Sequence, residues 1–97
     1  MLGLPPHLIA LPDGKLVAVY GRRFADPGFG EFACISDDGG KTWDGANEVM
    51  LMPARNGDLG YPASTLLPSG DIVTVYYQRH GVSKKPCLMA TKWRVVR

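Results

Sequence analysis

The feature that most constrains this chain is a repeat. Leu11-Pro12-Asp13-Gly14-Lys15-Leu16-Val17-Ala18-Val19-Tyr20 returns as Leu67-Pro68-Ser69-Gly70-Asp71-Ile72-Val73-Thr74-Val75-Tyr76, at a constant offset of 67 − 11 = 56 residues. Leu, Pro, Gly, Val, Val and Tyr are identical, and Leu16/Ile72 conserves size. A repeat unit of this kind buries its apolar faces against neighbours of its own type. Pro12-Asp13-Gly14 and Pro68-Ser69-Gly70 place Pro and Gly where turns favour them. The run that follows each turn is apolar on both faces, which suits a strand held between two layers.

The rest of the chain punctuates in the same way. Strands are expected at Leu8–Leu11, Lys15–Tyr20, Glu31–Ile35 and Glu48–Met52. Gly21–Gly30 reads as a long loop broken by glycine and proline. The second copy continues through a loop from Gln78 to Pro86 into a strand from Cys87 to about Trp93. No apolar i, i+3, i+4, i+7 pattern persists anywhere, so no helix is required. The expected fold is all-β: two antiparallel meanders, about residues 8–52 and 61–97.

Between the third and fourth strands lies Ser36-Asp37-Asp38-Gly39-Gly40-Lys41-Thr42-Trp43. Asp38 can turn its carboxylate onto backbone N–H groups of its own turn. Gly39 and Gly40 supply the positive φ of a tight reversal. Ser36 and Thr42 are placed to exchange hydroxyl hydrogen bonds across the neck, and Trp43 to set its ring beside the turn. No further oxygen ligands follow at calcium-loop spacing, so Asp37 and Asp38 read as turn formers and no metal is expected.

The octet fits S-x-D-x-G-x-T-W at every specified position, and so resembles the Asp box of sialidase-like β-propellers. The structural residues of the box are Ser36, Asp38, Gly40, Thr42 and Trp43. The resemblance covers Leu8 to Trp93 and implies four-stranded antiparallel meander blades of a six-bladed propeller, here about two of them. Trp93 would fill, from a plain strand, the space a box tryptophan fills. Propellers close with about 4–8 blades. Two alone leave an apolar face at each end, so a homo-oligomer (a trimer would give six blades) or the remainder of a longer propeller chain is expected.

Composition sets the outer limits. The chain has 97 residues, 21% charged and 45% hydrophobic, with net charge +2. That is globular rather than disordered. The basic excess is too small to argue for nucleic acid. No apolar run reaches the ~20 residues of a membrane-spanning helix. Met1–Pro6 lacks the basic and apolar regions of a signal peptide. Cys34 and Cys87 sit in apolar surroundings and read as free thiols. No Cys/His cluster is present, and no cofactor is expected.

Alternating connections put the Pro12–Gly14 turn, the Asp box and the Pro68–Gly70 turn at one end of the meanders. Gly21–Gly30, Pro53–Pro62 and Gln78–Pro86 then share the other end, where longer loops carry function. That rim gathers Arg22, Arg23, Arg55, Asp58, Tyr61, Gln78, Arg79 and His80. Guanidinium forks match carboxylates, so the cluster reads as an anion site as well as a solvated rim. The resemblance implies more. A sialidase tyrosine nucleophile precedes the last blade, where this chain has Tyr61-Pro62 in place of the family's Tyr-Ser. Tyr61 would be the catalytic position and Asp58 an acid/base group. Arg22, Arg23, Arg79, Gln78 and Arg55 would be ligands of a carbohydrate such as sialic acid. Glu31 and Glu48 are the nearest candidates for the glutamate that would activate the tyrosine, and each is better read as a strand-end charge. His7 and His80 read as surface residues. The resemblance thus implies a fragment or subunit of an exo-glycosidase, inactive alone; the alternative is a non-catalytic glycan- or protein-binding module.

Overall fold

The computed structural model describes residues 4–23, 28–79 and 85–96. It is all-β, with seven strands in two antiparallel sheets. The first sheet has the order β1-β2-β3-β4: β1 Leu4–Ala10, β2 Leu16–Arg22, β3 Gly30–Ser36 and β4 Val49–Pro53. The second has the order β5-β6-β7: β5 Leu59–Leu66, β6 Ile72–Gln78 and β7 Cys87–Trp93. A single 3-10 turn at Gly45–Asn47 is the one helical element among the described residues.

β1 begins earlier than the expected Leu8, at Leu4, and takes in Pro5 and Pro6. It is an edge strand, where a missing N–H costs no ladder bond, and its register with β2 shifts between Leu4 and His7. Both repeat turns close with the same bonds. Leu11 N–H donates to Lys15 O at 2.8 Å and Gly14 N–H to Leu11 O at 3.0 Å; Leu67 N–H donates to Asp71 O at 2.7 Å and Gly70 N–H to Leu67 O at 2.9 Å. Gly14 and Gly70 carry φ of 90° and 92°, which a Cβ would resist.

The registers repeat as well. Ala18 faces Cys34 and Tyr20 faces Phe32; in the second sheet Thr74 faces Thr91 and Tyr76 faces Met89. Each sheet therefore has a tyrosine face and a valine face. In the first sheet, Val17, Val19 and Ala33 form the valine face, packed with Ile9, Leu11, Ile35 and Leu51. Trp93 and Val95 from the second sheet cover it. The tyrosine face gathers Ala18, Tyr20, Phe32 and Cys34, with Trp43 laid against them. Val17 to Tyr20 are each at most 2% exposed, as a strand between two layers requires. The second sheet turns its own tyrosine face inward: Ile72, Thr74, Tyr76 and Gln78 are buried, while Val75 is exposed.

The turn of residues 36–43 has the expected fold with one change of partner. Gly39 and Gly40 have φ of 76° and 94°. Thr42 N–H donates to Asp38 Oδ1 at 2.9 Å, and Gly40 N–H to Ser36 Oγ at 2.9 Å. The Ser36 and Thr42 hydroxyls do not bond one another. Each donates to Asp38, because a carboxylate accepts from several donors and outcompetes a second hydroxyl. Those bonds, from Thr42 first and then Ser36, hold the Asp38 carboxyl at a pKa of about 2. Cys34 is a buried free thiol, and Cys87 is free and half-buried.

Candidate functional site

The long-loop end is assembled where β2 leaves its sheet and β5 enters the next. Gly21 makes this possible. A Cβ there would lie 2.9 Å from Leu59 Cδ1 and 3.1 Å from Gly60 Cα, so only glycine lets β5 pass. The ladder between β5 and β6 breaks between Gly60 and Ala63. At that bulge Tyr61 takes a left-handed φ of 50°, the one described non-glycine residue to do so. A bulge of this kind re-aims a side chain. Pro62 is buried while Tyr61 is 65% exposed.

Tyr61 is braced on two sides. Its ring stacks on Tyr77, with centroids 5.9 Å apart and planes 19° off parallel. The Arg23 guanidinium lies 5.4 Å from the ring centre. Arg23 is itself fixed: Nε donates to Leu59 O at 2.8 Å and Nη2 to Tyr77 Oη at 3.1 Å. Arg79 Nε donates to Asp58 Oδ2 at 2.9 Å, both side chains about a third exposed. Asp58 N–H in turn donates to Asn56 Oδ1 at 3.0 Å, so the carboxylate belongs to a closed turn. Arg55 is exposed and carries no hydrogen bond or ion pair among the described residues.

The expected site therefore divides. Tyr61, Asp58, Arg23, Arg79 and Arg55 lie on one rim, the first four braced in pairs. Arg22 and Gln78 do not join them. Arg22 is 3% exposed and points to the tyrosine face, where Nη2 donates to Glu48 Oε2 at 2.6 Å and the guanidinium sits 4.1 Å over the Phe32 ring. Strand alternation sends neighbours Arg22 and Arg23 to opposite sides. Gln78 is 2% exposed, and its Nε2 donates to Pro53 O at 3.2 Å, tying the second sheet to the end of β4. His80 lies outside the described residues.

Three other expectations need correction. Glu48 is not a loose strand-end charge: it accepts from Arg22 and from the Tyr20 hydroxyl. Burial opposes its charge, but those two bonds outweigh it and hold its carboxyl below the usual value. Glu31 is fully buried, with both oxygens lacking a hydrogen-bond partner. Burial raises its pKa to about 8, with Arg23 pulling the other way, so it is a neutral acid near pH 7. His7 is half-buried, and its Nδ1 accepts from Ser64 N–H at 2.9 Å, joining β1 to β5. In each case a facing sheet, which single-strand patterning does not reveal, supplies the burial or the partner.

Tyr77 was missed. The doublet Tyr76-Tyr77 carried the signal, since strand alternation puts one ring in the core and the other on the opposite face. The offset of 56 pairs Tyr77 with Gly21. Where the first copy needs space for β5, the second carries a ring that supports Tyr61. Together these residues make a stacked aromatic pair with a fixed guanidinium beside it.

No family model, curated protein or solved structure matches the chain.

Proposed function

We propose that this chain is a two-blade section of a six-bladed, sialidase-type Asp-box propeller whose long-loop rim contributes one side of a site for an acidic sugar. Tyr61 carries the reading: it is exposed at a strained bulge, stacked on Tyr77 and flanked by Arg23. Left-handed backbone at a non-glycine residue persists where its surroundings hold it, and such strain gathers at ligand sites. The blade reading is supported by two meanders with the same turn and register, stacked face to face with β1 against β5. In related hydrolases a tyrosine nucleophile replaces the usual carboxylate. A neutral phenol can approach a sugar carboxylate without like-charge repulsion. Arg23, Arg79 and Arg55 would meet the carboxylate and hydroxyls, and Asp58 would stand as the acid/base group.

The isolated chain is expected to bind without turnover. Glu48 is engaged by Arg22 and Tyr20, and Glu31 is sealed between the sheets, so neither reaches Tyr61 as a base. That observation also favours a second reading, a glycan-binding module without chemistry. Hydrolysis of a fluorogenic sialoside and ligand-detected NMR of sialic acid test both, on wild type, Tyr61→Phe and Tyr61→Ala. Binding that weakens roughly tenfold in Tyr61→Ala, equivalent to about 1.4 kcal/mol, supports the site. Unchanged binding in Tyr61→Ala rejects it. Turnover that disappears in Tyr61→Phe selects the hydrolase.

A further inference from the structure

The two sheets share a repeated turn and the register of the strand that follows it, but only one valine face is covered. On the first sheet, Val17 and Val19 are fully buried beneath Trp93 and Val95. Their partners at the offset of 56, Val73 and Val75, lie on the outward face of the second sheet, where Val75 is 38% exposed. Ala63 and Ala90, which flank Val75 in register, are exposed too, and Leu88 is 82% exposed. Ala63, Thr65, Val73 and Val75 line a shallow depression of about 180 Å3.

The opposite end of the molecule presents the matching surface. The inner face of the second sheet, which covers Val17 and Val19, carries Thr74, Tyr76 and Trp93. The first sheet has Ala18, Tyr20 and Trp43 on its equivalent face; Ala18 and Tyr20 are each 2% exposed with Trp43 packed against them, so the surface offered there is made by Trp43 and its exposed neighbours. Leu8, in register with Ala18, and Met50, in register with Phe32, are 52% and 53% exposed there.

We propose that the valine face of the second sheet binds a second copy of this chain, head to tail, by taking that copy's tyrosine face. The contact would repeat the one the chain already makes internally, with Trp43 of the incoming copy in the place of Trp93. It would run from Val75 towards the turn end. At the long-loop end, Tyr77 fills the space that Gly21 leaves open for Leu59 in the first sheet. A heterologous contact of this type leads to a ring or an open stack. It does not depend on what the rim binds.

Sedimentation velocity over a concentration series tests this without any ligand. The variants are Val75→Asp on one face and Met50→Asp on the other, both at exposed positions, with circular dichroism as the folding check. Wild type is expected to sediment as an assembly, and each variant alone as a smaller species. Their mixture is expected to give a mass of twice 10.5 kDa, because each retains the face the other has lost. Three results would overturn the proposal. One is a wild type that stays monomeric at every concentration, which would assign the face to another occupant. Another is a Val75→Asp variant that assembles like wild type. The last is blocked single variants whose mixture fails to pair, which would indicate a self-complementary contact instead.

Discussion

In the first sheet the tryptophan that lies on the tyrosine face comes from a turn; in the second it comes from the strand itself. Trp43 reaches its place because Ser36, Asp38 and Thr42 tie residues 36–43 into a rigid reversal. Trp93 needs no such turn. It closes β7, and its Nε1 donates to Thr74 Oγ1 at 2.9 Å. The next residue, Arg94, clips the end of the second sheet to its own repeat turn, with Nε on Asp71 Oδ1 and Nη2 on Ser69 O, both at 2.8 Å. The difference teaches that the repeated element is the ring over the tyrosine face. The octet is one way of supplying it.

Both rings are half-buried, but their positions sharpen the contrast, and the largest effect follows from it. Trp93 is packed between the sheets, whereas Trp43 lies on the face that looks away from the second sheet. Trp93→Ala is expected to cost about 3–5 kcal/mol in urea denaturation. Trp43→Ala is expected to cost clearly less in the monomer. Equal losses would break the comparison.

Glu31 gives the next largest effect. A carboxyl whose folded pKa lies above its unfolded value is held protonated by the native state. The native state then binds the extra proton between the ordinary value of 4.5 and about 8. Stability should therefore fall as pH rises through that window and level off above it, by about 3 kcal/mol up to pH 7. Glu31→Gln should remove this slope. An unchanged pH profile would show that Glu31 does not titrate between the sheets.

Backbone crowding comes third. A Cβ at Gly30 would lie 2.6 Å from the Met52 carbonyl oxygen, while one at Gly57 would meet its neighbours at ordinary contact distances of 3.5 Å and more. Gly30→Ala should cost about 1–3 kcal/mol by thermal denaturation, and Gly57→Ala much less. A near-neutral Gly30→Ala would show that β3 and β4 can separate without loss.

The turn of residues 36–43 predicts a direction. The Asp38 carboxyl is depressed to a pKa of about 2 by its Thr42 and Ser36 bonds, so its contribution is present above its ordinary 3.8 and is lost as pH falls towards 2. Asp38→Asn should flatten the acid limb of an unfolding curve. Asp71, held down first by Arg94, should keep a similar limb in the second sheet. The smallest effect is Tyr61→Phe, whose hydroxyl is exposed; stability should change by no more than about 0.5 kcal/mol. The variant is therefore a clean probe of turnover.

Much of the fold was legible because it is written locally. Leu11–Lys15 and Leu67–Asp71 fix their turns with Pro, Gly and a short polar side chain, and the valine runs fix the strands. The rim was only half legible. Arg22 and Arg23 are neighbours of identical chemistry, yet one is buried against Glu48 and the other braces Tyr61. Glu31 looked like a surface charge because its burial comes from a strand distant in sequence. Tyr77 drew no reading of its own because the repeat match ends at Tyr76.

The sequence by itself determined that this chain makes antiparallel meanders, where their turns fall and that they occur twice, since φ preferences and side-chain alternation act within a few residues. Only the tertiary structure decided which face of each sheet is covered, which arginines reach the rim, and that one glutamate is shut in without a partner. Those outcomes depend on desolvation by a second sheet, and no local pattern records which side that sheet will approach.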